Sequence, residues 1–450
     1  MKVMRKVLCL LLIVVMMICT IGIAAADEPT GPTSDNVRMH ISVDGGIDST
    51  SAVNGSKLFI ANWKSMDENN PNAMGVFCLD VNNGDLIWFR SIGEVMSTIT
   101  VEDRKVFVGT KAGALFCLDE ETGNTLWNVS GIASGYWGLT VAPLVYDGVV
   151  YVTSPTQHKL MGYDIETGNR VLDRQLGSNG GFIFTSPTLS SLNNLLVMND
   201  TGILEVSPAN RLINFYTLPS PITNGSSIVT HGEAIYFNAN GVLYRINTND
   251  EWTEAWNIST LTPTTPIVTD TAVYVSQSGT LAAYNITTGE ALDGFTTHIR
   301  DGAHDYLNPL LVGNTIYYAV NGVCGEIFAI NATTGAEEWN FSLPNNSGKE
   351  GGLYTFFGSS PVMYSGDLFI GSEGSGFYVI GEGEQIEIDG KNAVDKPYVP
   401  PADPEIIYDD TVILALEPTV TVIPANNQTE YTVEGMTDLA ALDATGLTYN

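Results

Sequence analysis

The side chains best suited to hold a metal ion lie together in the segment from His298 to Tyr306. Its candidate ligands are His298, Asp301, His304 and Asp305. Imidazole nitrogens and carboxylate oxygens are common ligands of metal ions in proteins. The spacing matches no standard metal motif. A polar loop whose side chains bond to its own backbone is therefore the competing interpretation.

Aromatic rings among glycines are the candidates for binding. They occur in segments 134–138, 179–184 and 351–358, and in the longer segment 62–75. Rigid rings displayed on loops suit a protein, peptide or glycan partner. The same rings could instead fill a tunnel or wedge between repeats. The candidate binding residues are Trp63, Tyr136, Trp137, Phe182, Phe184, Tyr354, Phe356 and Phe357.

The cysteines predict no disulfide framework. Cys9 and Cys19 lie in the apolar N-terminal segment, which leaves Cys78, Cys117 and Cys324. Cys78 and Cys117 both occur in the sequence Phe-Cys-Leu-Asp, at equivalent places in neighbouring repeats. Equivalent positions in radiating units lie farther apart than the ~7 Å between Cα atoms that a disulfide allows. We expect both to be small buried apolar residues.

These candidates depend on a repeat that must position them. A short alternating strand recurs at intervals of roughly 40–45 residues, the length of one four-stranded propeller blade. The copies are residues 57–61, 105–109, 149–153, 194–198, 234–238, 272–276, 315–319 and 367–371. The pattern predicts an all-β fold, an eight-bladed β-propeller of four-stranded blades.

A turn between the third and fourth strands is the most distinctive part of the repeat. It has Asp or Asn at its start, Gly four residues later and, in several copies, Trp four residues after the Gly. The first side chain can accept backbone N–H bonds, the Gly can take a positive φ, and the Trp can lie between blades. The turn residues are Asp80, Gly84, Trp88, Asp119, Gly123, Trp127, Asp164, Gly168, Asn285, Gly289, Asn331, Gly335 and Trp339.

This repeat resembles that of the PQQ-like β-propeller family over residues 37–389. The resemblance implies either a PQQ-dependent quinoprotein dehydrogenase with PQQ and Ca²⁺ in the funnel, or a scaffold similar to the outer-membrane assembly propellers. The family's enzymes would require an adjacent Cys-Cys pair or a Cys-x-x-Cys-His haem motif, and the sequence has neither. We therefore expect a protein that is not an enzyme and has no cofactor.

The last blade lacks a standard outer strand. Either residues 37–43 or residues 385–388 could supply it. We favour residues 37–43, because joining the two ends of the ring covers an edge that would otherwise be exposed.

The ends of the chain predict export and a second module. Basic residues, an apolar run and Ala24–Ala26 indicate a signal peptide over residues 1–26, with a membrane anchor as the alternative. Residues 390–410 are a Pro- and Asp-rich linker. Residues 411–450 resemble the start of a transcobalamin-like β-grasp module of archaeal surface proteins, here incomplete.

Charge and sequons define the expected partners. The net charge of −31 disfavours nucleic acid and anionic membranes. Asn-x-Ser/Thr sequons, at which we expect N-glycans, occur at Asn54, Asn128, Asn199, Asn224, Asn257, Asn285, Asn331, Asn340, Asn345 and Asn427. The sequence therefore predicts a secreted or cell-surface scaffold that has no stable membrane span after signal cleavage. It is expected to bind a protein, peptide or glycan through one loop face.

Overall fold

A computed structural model of the chain describes residues 30–64, 73–178, 185–249, 251–260, 264–277, 280–299, 307–321, 325–344, 356–374, 376–390, 419–422 and 431–434. The chain divides into two compact units, residues 1–398 and 399–450. The predicted signal peptide and most of the predicted linker lie outside the described residues. Within these ranges the regular elements are β-strands, and no helix that could span a membrane is found.

The strands of the first unit form short, mainly antiparallel sheets. Those of the first four blades are β2 (Ala52–Asn54), β3 (Lys57–Ala61), β4 (Gly75–Asp80), β5 (Leu86–Ser91), β6 (Thr100–Glu102), β7 (Lys105–Gly109), β8 (Leu115–Asp119), β9 (Thr125–Val129), β10 (Leu144–Tyr146), β11 (Val149–Ser154), β12 (Lys159–Asp164), β13 (Arg170–Gln175), β14 (Thr188–Leu189), β15 (Leu195–Met198), β16 (Gly202–Val206) and β17 (Leu212–Thr217). Those of the remaining blades are β1 (Val37–Ser42), β18 (Val229–His231), β19 (Ala234–Ala239), β20 (Val242–Asn247), β21 (Thr253–Ser259), β22 (Ile267–Val268), β23 (Ala272–Gln277), β24 (Thr280–Asn285), β25 (His298–Ile299), β26 (Leu310–Val312), β27 (Thr315–Asn321), β28 (Gly325–Asn331), β29 (Glu337–Ser342), β30 (Val362–Tyr364), β31 (Asp367–Ser372), β32 (Gly376–Ile380) and β33 (Ile386–Asp389).

Eight sheets form the blades, as the repeat predicts. Seven have four strands in sequence order, beginning with β2-β3-β4-β5 and ending with β26-β27-β28-β29. The eighth has the order β30-β31-β32-β1-β33. Each of the eight recurring segments is the second strand of its blade. The predicted eight-bladed, all-β propeller is confirmed, and its last blade has one strand more than expected.

The third-to-fourth-strand turn repeats one set of hydrogen bonds. In blade two, Asp119 Oδ1 accepts bonds from Thr122 N and Thr122 Oγ1 at 2.8 and 2.7 Å. Gly123 N donates to Asp119 O at 2.9 Å, and the φ of Gly123 is +67°. Only glycine adopts that backbone conformation without strain. Corresponding bonds to a side-chain oxygen occur at Asp80, Asp164, Asn285 and Asn331, and Gly84, Gly168, Gly289 and Gly335 have positive φ.

Tryptophan joins three of these turns to the blade before them. Trp88 is fully buried, and its Nε1 donates to Glu120 O of blade two at 3.0 Å. A Cβ atom added at Gly123 would lie 2.6 Å from the Trp88 ring, so the turn glycine also gives the indole a flat surface. The same contact joins Trp127 to Gly168 and Trp256 to Gly289.

The N-terminal segment closes the ring. Strand β1 pairs antiparallel with β32 and parallel with β33. Arg38 on β1 donates from Nε to Asp367 at 2.8 Å and from Nη1 to Asn82 O of blade one at 2.8 Å. Trp339 of blade seven donates to Pro32 O at 3.0 Å. Both segments proposed from the sequence are used: residues 37–43 contain the fourth strand of blade eight, and residues 385–388 lie largely in a fifth.

Hydrogen bonds link neighbouring blades just before their first strands. A backbone N–H of one blade donates to a side-chain oxygen of the next, at 2.8–3.3 Å. The donor and acceptor pairs are Ala142 to Ser186, Ser186 to Ser227, Thr265 to Asn308, Asn308 to Ser360, and Ser360 to Thr50. These bonds hold the loop connections in register, because each fixes the start of one blade against the next.

The apolar core consists of clusters between adjacent blades. One joins blades one and eight through Phe77, Phe89 and Phe377. Cys78 and Cys117 lie in two of these clusters, both fully buried with free thiols. Burial raises the pKa of the Cys117 thiol to about 12. These cysteines therefore pack as small apolar residues.

The second unit is described only at a hairpin. Strands β34 (Thr419–Val422) and β35 (Tyr431–Glu434) pair antiparallel, with Val420 opposite Val433. Both strands lie in residues 411–450, where the sequence predicts a second module. The other residues of that predicted module lie outside the described residues.

Candidate functional site

The candidate site lies on the face where the connections between blades meet the turns between second and third strands. Trp63 follows β3, Lys111 follows β7, and Tyr136 and Trp137 lie in the connection from β9 to β10. We call these four residues the aromatic cluster. It combines parts of three consecutive blades, which brings together residues distant in the sequence.

Close backbone contacts hold the β9–β10 connection against blade two. Leu139 N donates to Thr110 O at 3.0 Å, and Ile132 N donates to Gly113 O at 2.9 Å. A Cβ atom added at Gly138 would lie 2.2 Å from Lys111 O, and the φ of Gly138 is +59°. Glycine is required there by both the close approach and the backbone conformation. The connection therefore places Tyr136 directly over Lys111.

The Lys111 ammonium lies between two aromatic rings. Its Nζ is 4.5 Å from the Trp63 ring centroid and 4.4 Å from the Tyr136 ring centroid. Glu94 Oε2 lies 3.6 Å from the same nitrogen. A cation over an aromatic face contributes about 0.5–2 kcal/mol, with the larger values for desolvated sites. Lys111 thus connects a buried ring to an exposed one.

Tyr136 and Trp137 form the exposed part of the cluster. Tyr136 is 64% exposed and Trp137 is 37% exposed. Their rings meet edge to face, with centroids 5.0 Å apart and an interplanar angle of 89°. Such pairs are favourable by about 0.5–1.5 kcal/mol beyond their buried area. The two rings therefore form a preorganised apolar surface in contact with solvent.

A half-buried aspartate with one buried carboxyl oxygen lies beneath the cluster. Asp48 is in the connection between blades eight and one. Burial raises its pKa to about 8, with a further contribution from Glu373, while Trp63 and Lys111 oppose the shift. Asp48 Oδ1 and Trp63 Nε1 are buried, and neither makes a hydrogen bond of normal geometry to a described group. Burial and the nearby Glu373 carboxylate thus favour the neutral form of the Asp48 carboxyl.

The structure separates the predicted binding residues into exposed and buried groups. Tyr136 and Trp137 are accessible, as a binding role requires. Trp63 is 5% exposed, so it supports Lys111 from below and is not itself part of the accessible surface. Phe356 is half-buried. Phe182, Phe184 and Tyr354 lie outside the described residues.

The prediction that Phe357 is displayed for binding is wrong. Phe357 is fully buried, and its ring packs 6.4 Å from those of Phe341 and Tyr378. Its backbone bridges to Ser372, which directs the side chain between blades seven and eight. The aromatic and glycine pattern of this segment therefore includes a core residue.

The proposed metal-binding segment begins in a strand. His298 belongs to β25, where its backbone pairs with Leu281 and completes blade six. Asp301, His304 and Asp305 lie outside the described residues. Among the residues that are described, no group of three or more His, Cys, Asp or Glu side chains is placed to hold a metal ion.

Sequence reasoning missed Lys111, Glu94 and Asp48. Lys111 is one of only 19 basic residues in a chain with 50 acidic ones, and it directly follows a recurring second strand. That position was a usable signal, because the turn after the second strand shares a face with the connections. Nothing in the sequence marks the pairing of Asp48 with Trp63, which are brought together by a backbone bridge between Gly46 and Trp63.

Comparison with solved structures shows the same fold in proteins of different function. BamB from Moraxella catarrhalis superimposes with a TM-score of 0.58 and 17% identity, over 76% of this chain and 97% of that one. Quinohemoprotein alcohol dehydrogenase from Comamonas testosteroni gives a TM-score of 0.59 and 14% identity, over 79% and 78%. At these identities the likeness concerns the fold alone.

A curated relative and a family model add sequence similarity. Tetrathionate hydrolase of Acidithiobacillus ferrooxidans is 22% identical over 322 residues, which cover 66% of this chain and 53% of that protein. The chain thus spans about half the length of this relative. A family model described as outer membrane protein assembly factor BamB matches residues 22–234 and 72–297. The chain therefore belongs to the PQQ-like β-propeller family that this model describes.

Proposed function

We propose that this chain is a non-enzymatic, exported scaffold that binds a protein, peptide or glycan through the aromatic cluster on its loop face. The observation that carries the proposal is the exposed edge-to-face pair of Tyr136 and Trp137. Lys111 holds this pair from below against the buried ring of Trp63. The site is therefore built before any partner arrives.

Preorganisation is the physical reason that these residues suit binding. Tyr and Trp have few rotatable bonds, so ordering them costs little entropy, and they dominate the energetics of many interfaces. The Lys111 ammonium and the Gly138 backbone already restrict Tyr136 in the free protein. The chain's net charge of −31 adds long-range attraction for a partner that is basic.

The test compares two exposed positions on different faces. The double variant Y136A/W137A removes the pair, while L192A removes an apolar side chain that is 75% exposed in the β14–β15 turn. We expect Y136A/W137A to lose at least about tenfold in capture of partners from the envelope fraction, since hot-spot residues contribute roughly 2 kcal/mol or more. L192A should capture as the wild type does.

Two readouts make this test decisive. Glycan arrays and peptide libraries with the purified chain distinguish the classes of partner. Circular dichroism and thermal melting establish that both variants fold. Equal capture by the folded double variant and the wild type would show that binding uses another surface.

A role in envelope assembly is the second candidate. The family model described as an outer membrane protein assembly factor favours it, as does the fold shared with BamB. The same loop face would then bind a component of the assembly machinery. Deleting the gene and measuring the amounts of outer membrane or envelope proteins tests this role, and unchanged amounts would contradict it.

A quinoprotein dehydrogenase is the third candidate, because a fold neighbour is a quinohemoprotein enzyme. The residues present fit PQQ and Ca²⁺ poorly. The sequence has no adjacent Cys pair, and the described residues include no group of three His, Cys, Asp or Glu side chains placed to hold a metal ion. Dye-linked dehydrogenase activity with added PQQ and Ca²⁺ would favour this candidate over the scaffold.

A further inference from the structure

Three outer strands carry the same four-residue pattern, Trp-Asn-x-Ser. It occurs at residues 127–130, 256–259 and 339–342, in blades two, five and seven. Each copy contains an Asn-x-Ser sequon, which is the acceptor for N-linked glycans in exported proteins. The tryptophan is the residue that docks on the neighbouring segment. The sequon therefore has a fixed place in the blade, one residue beyond this anchor.

The pleat of the strand turns the sequon residues outward. In the second copy, Trp256 is 9% exposed and faces the next blade, while Asn257 and Ser259 are exposed. Asn128 and Ser130, and Asn340 and Ser342, are exposed in the same way. Successive side chains of a strand point to opposite sides, so burying the Trp exposes both residues that an acceptor site needs. These strands are the outer edges of four-stranded sheets, with one backbone edge unpaired within the sheet.

In blade one, the position equivalent to these asparagines is covered by the fifth strand of blade eight. Phe89 follows Trp88 at the position equivalent to Asn128, and it is fully buried against Phe77, with ring centroids 4.5 Å apart. Its cluster includes Ile386 and Ile388 from the fifth strand of blade eight. The repeat therefore does not require asparagine at this place. Asparagine in a sequon occurs where the rim faces solvent.

Each of the three asparagines also lies opposite an aromatic residue. The cross-strand neighbours on the third strands are Phe116 for Asn128, Tyr244 for Asn257 and Phe328 for Asn340. Directly opposed residues have Cβ atoms about 4.5–5.5 Å apart. Tyr244 and Phe328 are only 9% and 4% exposed, whereas Phe116 is half-buried, so the ring beside Asn128 offers the apolar face of a first sugar the most surface.

Three other sequon asparagines have structural roles in turns, where their side chains accept backbone hydrogen bonds. Asn199 is 8% exposed, and its Oδ1 accepts bonds from Thr201 N and Gly202 N at 3.0 and 2.9 Å. Asn285 and Asn331 are the first residues of blade turns and accept two backbone bonds each. A glycan on Asn199 would require unfolding of its turn.

We propose that Asn128, Asn257 and Asn340 are N-glycosylated, so that glycans project from the outer rim and leave the loop face free. In this reaction a host oligosaccharyltransferase uses a lipid-phosphate-linked oligosaccharide as donor. The bond between the sugar C1 and the phosphate oxygen breaks, and C1 bonds to Asn Nδ2. The amide loses one proton, and the lipid phosphate leaves. The proposal requires export, but it does not depend on the partner of the aromatic cluster.

The structure also predicts an order of modification. Asn257 Nδ2 donates to Glu254 Oε1 at 2.7 Å, and Asn340 Nδ2 donates to Glu337 Oε1 at 2.6 Å. Blade two has Thr125 in the place of these glutamates. Among the described residues, no carboxylate accepts a hydrogen bond from the Asn128 amide, and we expect Asn128 to be the most completely modified of the three.

Mass spectrometry of the full chain, secreted from its own organism, tests the proposal. We expect glycans on the peptides that contain Asn128, Asn257 and Asn340, with highest occupancy at Asn128, and an unmodified peptide at Asn199. A triple variant that keeps each asparagine but removes each acceptor serine should lose three glycan masses and melt as the wild type does. It consists of S130A, S259A and S342A.

Two results would overturn the proposal. One is a secreted chain whose three rim peptides carry no glycan. The other is a glycan on Asn199 at the same occupancy as at Asn128, which would show that attachment ignores the folded rim. Partner capture and glycan mass are measured separately. Failure of the capture test with Y136A/W137A would therefore leave the glycan proposal standing, and absence of glycans would leave the binding proposal standing.

Discussion

Replacing Gly123 by alanine should destabilise the propeller through two separable effects. The φ of Gly123 is +67°, and a left-handed conformation costs a residue with a Cβ about 1–2 kcal/mol. The new Cβ would also lie 2.6 Å from the ring of Trp88, which is fully buried and cannot move aside freely. Overpacking of this kind costs about 1–3 kcal/mol. We expect G123A to lose roughly 2–5 kcal/mol in all.

Gly148 provides the matched control. Its φ is +71°, and a Cβ added there meets nothing within 4 Å. G148A should therefore lose only the backbone part, about 1–2 kcal/mol. The measurement is the free energy of unfolding of both variants and the wild type in guanidinium chloride, followed by two probes to check that unfolding is cooperative. Equal losses in G123A and G148A would refute the docking of Trp88 on the turn.

Three further predictions concern closure of the ring by β1, the pH dependence due to Asp48, and the reactivity of the two buried cysteine thiols. Deleting residues 37–43 should lower the melting temperature sharply, because it removes β1 and exposes the edge of β32; an unchanged melt would contradict closure by this strand. Asp48 has a folded pKa raised from 3.8 to about 8, so its stabilising contribution is complete below its unfolded pKa and is lost as pH rises to about 8. D48N should therefore show a weaker fall in unfolding free energy over this range, and parallel curves would contradict the assignment. Cys78 and Cys117 should react with a thiol reagent at pH 8 only after unfolding, as peptide-resolved mass spectrometry would show; rapid labelling of the folded chain would contradict their burial.

Much of the fold was predictable because the repeat encodes its own contacts. The turn from Asp119 to Gly123 needs only local chemistry, a side-chain acceptor and a glycine with positive φ. Such local requirements are readable from spacing alone. The docking of Trp88 on the next blade was predictable for the same reason, since it recurs with the turn.

The candidate site was only partly predictable. Tyr136 and Phe357 both occur in segments rich in glycine and aromatic residues, yet one is 64% exposed and the other fully buried. The difference comes from the bridge between Phe357 and Ser372, a contact with a strand that lies later in the chain. Composition of a loop does not specify which neighbour its backbone will pair with.

The amino-acid sequence by itself determined the number of blades, the place of each second strand and the chemistry of the turns, because these depend on short-range periodicity. Only the tertiary structure decided that β1 and β33 both complete blade eight, that Lys111 lies between Trp63 and Tyr136, and that Oδ1 of Asp48 is buried near Trp63. The first two features require segments from different blades to meet, and the third requires the backbone bridge between Gly46 and Trp63. The periodicity of the strands does not specify these contacts.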